Sequence, residues 1–152
     1  MKSFFLSKTL LVCCIFFLLA CEKETPKIAK QNQFDVPFRS SPNESVLIKD
    51  ESSKLVFKIK NISDQRCANH LICNDLGEAT VRIEVMNDDN SKAESLLRIG
   101  VLEGEFKSAD SVKLKLDNSW YVIKLLNVSP HPMAASNEVQ NGELSIVKDE
   151  GF

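Results

Sequence analysis

Cys67, His70 and Cys73 stand at Cys-x2-His-x2-Cys, and a second histidine, His131, lies between Pro130 and Pro132. Two thiolates and two imidazoles are the donor set of a tetrahedral zinc site. The same two cysteines can instead close on each other as a disulfide. A spacing of three puts Cys67, His70 and Cys73 on one side only if the loop is helical. Asp64 and Arg66 are two apart, so in an extended segment they share a side. There they can pair with each other or satisfy backbone groups of the loop. Asn87-Asp88-Asp89-Asn90 clusters oxygens that a hard Ca²⁺ accepts, but it lacks the distributed ligands and distant glutamate of an EF-hand. A solvated hairpin turn fits it better. His131 has the chemistry of a base or a ligand. No serine stands in a nucleophile-elbow context, no partner acid is implied nearby, and no catalytic set emerges. Five glycines in the chain leave no loop that could cradle phosphate.

The two cysteine chemistries separate by compartment, and the N-terminus bears on that. Lys2 and Lys8 make a short positive start, and residues 9–20 are uncharged and dominated by Leu, Phe, Val and Ile. About a dozen apolar residues fall short of the roughly twenty that span a bilayer core, so a removed export signal fits. The run ends Leu18-Leu19-Ala20-Cys21, which resembles the lipobox of bacterial lipoproteins. That resemblance implies cleavage before Cys21 and lipid on its thiol. It makes the membrane a partner and places the chain at a cell membrane or outer membrane, its domain in the periplasm or at the cell surface. Two or three acyl chains hold a soluble domain firmly where one does not. Residues 1–20 then form the signal, 21–32 a polar flexible tether, and 33–152 the domain. Glu22-Lys23-Glu24 is similar to charged signals that sort some lipoproteins to the surface, although a generic solvated linker also has this composition.

Cysteine use follows. Cys13 and Cys14 leave with the signal and Cys21 takes lipid, so Cys67 and Cys73 remain as one pair in an oxidising compartment. A disulfide is the reading this favours, with zinc on Cys67, His70, Cys73 and His131 as the alternative. Closing that short loop is worth about 2–2.5 kcal/mol in the chain-entropy picture. The chain has 19 basic and 21 acidic residues. Without Lys2 and Lys8 the balance is near −4, and the charges are interspersed. No basic patch points to nucleic acid, and no cofactor is implied.

The elements that must position these residues read as strands. Phe34, Val36 and Phe38 stand at every second position, as do Val46 and Ile48; Leu55, Phe57 and Ile59; Ala79, Val81, Ile83 and Val85; Leu97, Ile99 and Val101; and Val112, Leu114 and Leu116. This is period two. Residues 120–128 are apolar on both faces, as in a central strand, and Leu144 and Ile146 suggest a last one. Trp120 and Tyr121 must face opposite ways, one to the core and one near the surface. Turn residues fill the gaps, and residues 91–97 can form a short helical turn. The expectation is all-β: a single antiparallel β-sandwich or partly open barrel of about seven or eight short strands, with one disulfide-closed loop.

The segment Asp64-Gln65-Arg66-Cys67-Ala68, Cys73, Gly77-Glu78-Ala79 resembles a recurring stretch of small secreted and lipid-anchored bacterial β-proteins, roughly Asp-Ser-Arg-Cys-Pro, four residues, Cys, three residues, Gly-Glu/Asn-Ala. Residues 120–125 followed by Pro130 and Pro132 are similar to the tyrosine-containing strand and Pro-x-Pro turn of that group. Gln65, Ala68 and residues 74–76 depart from the pattern, the last where relatives carry an apolar, often tryptophan-containing triplet. The resemblance implies the fold, the location and a structural loop built on Asp64, Arg66 and Gly77. It implies no activity.

The functional expectation is therefore a lipid-anchored envelope protein of non-enzymatic binding or accessory role, its β-domain meeting an envelope protein partner. A ligand-binding module for a small molecule, glycan or metal, using loops 68–76 and 129–137, is the alternative, and a hydrolase comes last. Asp110-Ser111-Val112 also fits a short O-glycosylation acceptor pattern of some bacterial export systems.

Overall fold

The computed structural model describes residues 27–68, 72–73, 76–132 and 138–149. The expected signal, Cys21, His70 and the centres of loops 68–76 and 129–137 lie outside the described residues. Ten strands make up the fold: β1 (Ile28–Asn32), β2 (Phe38–Ser40), β3 (Ser45–Lys49), β4 (Lys54–Asp64), β5 (Glu78–Asn87), β6 (Lys92–Leu102), β7 (Glu105–Lys107), β8 (Asp110–Leu116), β9 (Ser119–Ser129) and β10 (Asn141–Asp149). They form a six-stranded sheet, β1-β3-β4-β5-β6-β7, and a four-stranded sheet, β2-β10-β9-β8. Both sheets are open, with β1 and β7, and β2 and β8, as their edges. The protein is thus an all-β sandwich and not a closed barrel.

Alternation is what packs the sheets. In β4 Leu55, Phe57 and Ile59 are fully buried, and in β5 Ala79, Val81, Ile83 and Val85 are too. Ile123 and Leu125 of β9 and Leu144 and Ile146 of β10 meet them from the smaller sheet. Burying such side chains is worth roughly 1.5–3 kcal/mol each. Phe38 of β2 stands edge-on to Phe57, with ring centres 5.2 Å apart. Phe34 stacks on Tyr121 at 6.1 Å. Tyr121 is buried and Trp120 is 40% exposed, so the adjacent aromatics do split between core and surface.

The structure corrects four expectations. Residues 28–32 are not tether: they form β1, parallel to β3, so the folded domain starts before residue 33. An edge strand exposed on both faces needs no apolar pattern, and Lys30 reaches Glu44 at 3.0 Å to hold it. Residues 34–36 turn, with Asp35 at φ 64, and only Phe38 onward pairs. Residues 91–97 are not helical, because β6 begins at Lys92 and pairs in register with β5. The strand count exceeds seven or eight because β1 and β7 are short edge pieces without a periodic signature.

At one end of the sandwich, Asp117 in the β8–β9 turn accepts hydrogen bonds from Ser91 Oγ and Asn87 Nδ2, each 2.5 Å. This joins the two sheets through Asn87–Asn90, which is here a hairpin turn. The Ser91 hydroxyl first, and then the Asn87 amide, hold the Asp117 carboxyl below its ordinary range. A lowered folded value means that the stability Asp117 contributes is complete above the ordinary carboxylate value. It is lost as pH falls through the lowered one. The melting-temperature gap between wild type and Asp117→Ala is therefore expected to be widest near neutrality and to narrow as pH falls below the ordinary carboxylate value. Thermal melts across that range check it, and a gap independent of pH would refute it.

Candidate functional site

The other end carries the cysteine loop. β4 ends at Asp64 and β5 begins at Glu78, but their pairing runs on. Gln65 N–H donates to Glu78 O at 2.9 Å, and Cys67 N–H to Leu76 O at 2.8 Å. Cys67 and Cys73 are joined as a disulfide, so neither sulfur is a thiolate for zinc. The metal alternative loses two of its four donors, and among the described residues no metal-holding group forms.

Asp64 is the centre of this end. Arg66 donates to it twice, Nε to Oδ1 at 2.8 Å and Nη2 to Oδ2 at 2.6 Å. The Arg66 backbone N–H also donates to Oδ1 at 3.1 Å. Gln140 Nε2 donates to Oδ2 at 3.2 Å. Arg66 Nη2 reaches further, to the Val128 carbonyl at 2.7 Å. The Asp64 side chain has no exposed surface and that of Arg66 is 13% exposed. One buried ion pair therefore ties the loop of the larger sheet to the end of β9 and the approach to β10 in the smaller. Bidentate carboxylate–guanidinium geometry satisfies both groups where water cannot.

Gly77 makes the return possible. Its φ is +65, and a Cβ there would stand 2.0 Å from the Gln65 carbonyl oxygen. The Gly77 carbonyl in turn accepts from Val101 N–H at 2.9 Å, bringing the β6–β7 hairpin to the same end. Asp64, Arg66, Cys67, Cys73 and Gly77 are thus all parts of one assembly.

A cleft of about 410 Å³ opens beside it. Pro42, Ile62, Pro130 and Pro132 form its apolar walls, and His131, Glu138 and Gln140 its polar groups. Gln140 serves both structures, holding Asp64 with one atom and lining the cleft. The peptide bond before Pro130 is cis. His131 Nδ1 is buried and has no hydrogen-bond partner among the described residues. A buried ring nitrogen in that state costs about 1–3 kcal/mol, which a ligand group or a water would relieve. Around the cleft and the disulfide, Ile72 is fully exposed, Leu76 60% and Val139 65% exposed.

Asp88 and Asp89 sit at the opposite end, remote from His131. Ser111 lies exposed on the edge strand β8. Gln140, Glu138, Ile62 and the Val128 carbonyl carry no signal in the sequence. They reach the site through the pairing of distant strands, and a backbone oxygen has no residue type to betray it. No family model, curated protein or solved structure matches the chain.

Proposed function

We propose that the chain is a lipid-anchored cell-envelope protein, cut before Cys21, whose sandwich has a non-enzymatic binding role and whose cysteine-loop end is the contact surface. The single observation behind the contact surface is the exposure of Ile72, Leu76 and Val139 on loops held by a disulfide and a buried ion pair. Apolar side chains left in water suit a partner that would cover them. The anchor reading draws its support from Leu18-Leu19-Ala20-Cys21.

Two measurements test this. Intact mass of the mature protein should show residues 1–20 absent and acyl mass on Cys21, and acyl labelling that persists in Cys21→Ser would sink the anchor. A photo-crosslinking residue at position 139 should trap a discrete envelope protein in living cells. The adduct should fall about ten-fold when Ile72 and Leu76 become serine, and equal adducts in both chains would overturn the contact surface. A small polar ligand in the cleft is the second reading, favoured by the unpartnered His131 Nδ1. It requires His131→Ala to abolish binding while leaving the crosslink unchanged.

A further inference from the structure

We infer that the outer face of the four-stranded sheet docks on an anionic phospholipid bilayer. Register places nine side chains of this face in three rows across β8, β9 and β10. Lys115, Trp120 and Asp149 form the first row; Lys113, Val122 and Val147 the second; Ser111, Lys124 and Ser145 the third. Lys113, Lys115 and Lys124 are exposed on it. Asp149 is the grid's one acid, and it is ion-paired with Lys113. At the border Arg39 pairs with Glu143 at 3.2 Å. A chain with more acidic than basic residues has thus turned a net positive face outward.

The ring of Trp120, the single tryptophan of the chain, lies on the same face. Lys113 Nζ stands 5.1 Å and Lys115 Nζ 5.7 Å from its centre. An indole with an apolar neighbour and two lysines at its ring is the composition of a membrane–water boundary. The ring takes the headgroup level, and the ammonium groups meet phosphate. Val122 and Val147 give the patch an apolar middle. A polyanion without aromatic groups would use the lysines but leave the indole and the valines without a purpose.

The inference leans on the proposed anchor for proximity. Seven residue steps from Cys21 to Ile28 reach at most about 24 Å. β1 belongs to the other sheet, and the sandwich layers stand about 10 Å apart. That reach lets the smaller sheet lie flat on the surface that holds the lipid.

Trp120 is its own reporter. The processed, lipid-bearing chain is reconstituted into phosphatidylcholine vesicles and into vesicles with about one-third phosphatidylglycerol. On the anionic vesicles alone, its emission is expected to shift to the blue and to be quenched by brominated acyl chains. Both effects should vanish in Lys115→Glu/Lys124→Glu and at about 0.5 M salt. Identical emission on the two lipids, or a double variant that behaves as wild type, overturns the inference. Failure to float with neutral vesicles sinks the anchor instead. The face is then read from sedimentation of the unanchored chain. A preference of about ten-fold or more for the anionic vesicles is expected there, and equal binding overturns it.

Discussion

Asp64→Ala is expected to lower the unfolding free energy by about 3–5 kcal/mol, a large share of what a domain of this size possesses. The loss comes less from the missing attraction than from what is left behind. Arg66 is 13% exposed and points at the Val128 carbonyl. With the carboxylate gone, its charge has one neutral acceptor and little water. Gln140 loses its acceptor as well, and the link between the two sheets at this end loosens. Urea denaturation measures the effect. A loss below about 1 kcal/mol would mean that water reaches the pair in solution. Removing both charges together, as Asp64→Leu/Arg66→Met, should cost much less than Asp64→Ala alone, because no buried charge remains unpaired.

Gly77→Ala is expected to cost about 3 kcal/mol or more, through backbone and not through any lost side-chain contact. The left-handed φ of +65 accounts for about 1–2 kcal/mol with any ordinary residue. The remainder is collision: the new Cβ would stand 2.0 Å from Gln65 O. That carbonyl cannot retreat freely, since Gln65 N–H is bonded to Glu78 O. Gly104→Ala is the matched control, with φ +87 and no atom within 4 Å of its Cβ position. It should lose only the left-handed cost. Equal losses in the two variants would show that the loop moves aside and that the close return at Gly77 is not rigid.

Much of the fold was legible because burial imposed alternation. β4, β5 and β8 each bury one face, and each shows it as period two. β1 escaped notice because nothing buries it: Ile-Ala-Lys-Gln-Asn is exposed along most of its length. What makes it a strand is the unpaired edge of β3, and no local pattern encodes an edge. The start of β6 escaped for a related reason. Lys92, Glu94 and Leu96 face solvent, so the segment carries a helix-compatible mixture until tertiary pairing decides. At the site, the two-residue spacing made Asp64 and Arg66 readable as a pair. Of the cleft, Pro130, His131 and Pro132 were readable in the 129–137 loop, but Pro42, Ile62 and Gln140 were not, because they are brought to it from separate loops and strands.

The pairing of β2 with β10 has a consequence in time. Arg39 lies opposite Glu143, so the smaller sheet closes on partners from the two ends of the described chain. The larger sheet is mostly a run of neighbours, β3 to β7, which can assemble as soon as its residues are available. Its inner face, with Phe57, Ile83 and Leu97, is then only partly covered by β8 and β9 until β10 is in place. During that wait the half-made protein is sticky and unfinished, a natural client for a chaperone. Losing β10 would make that passing state permanent.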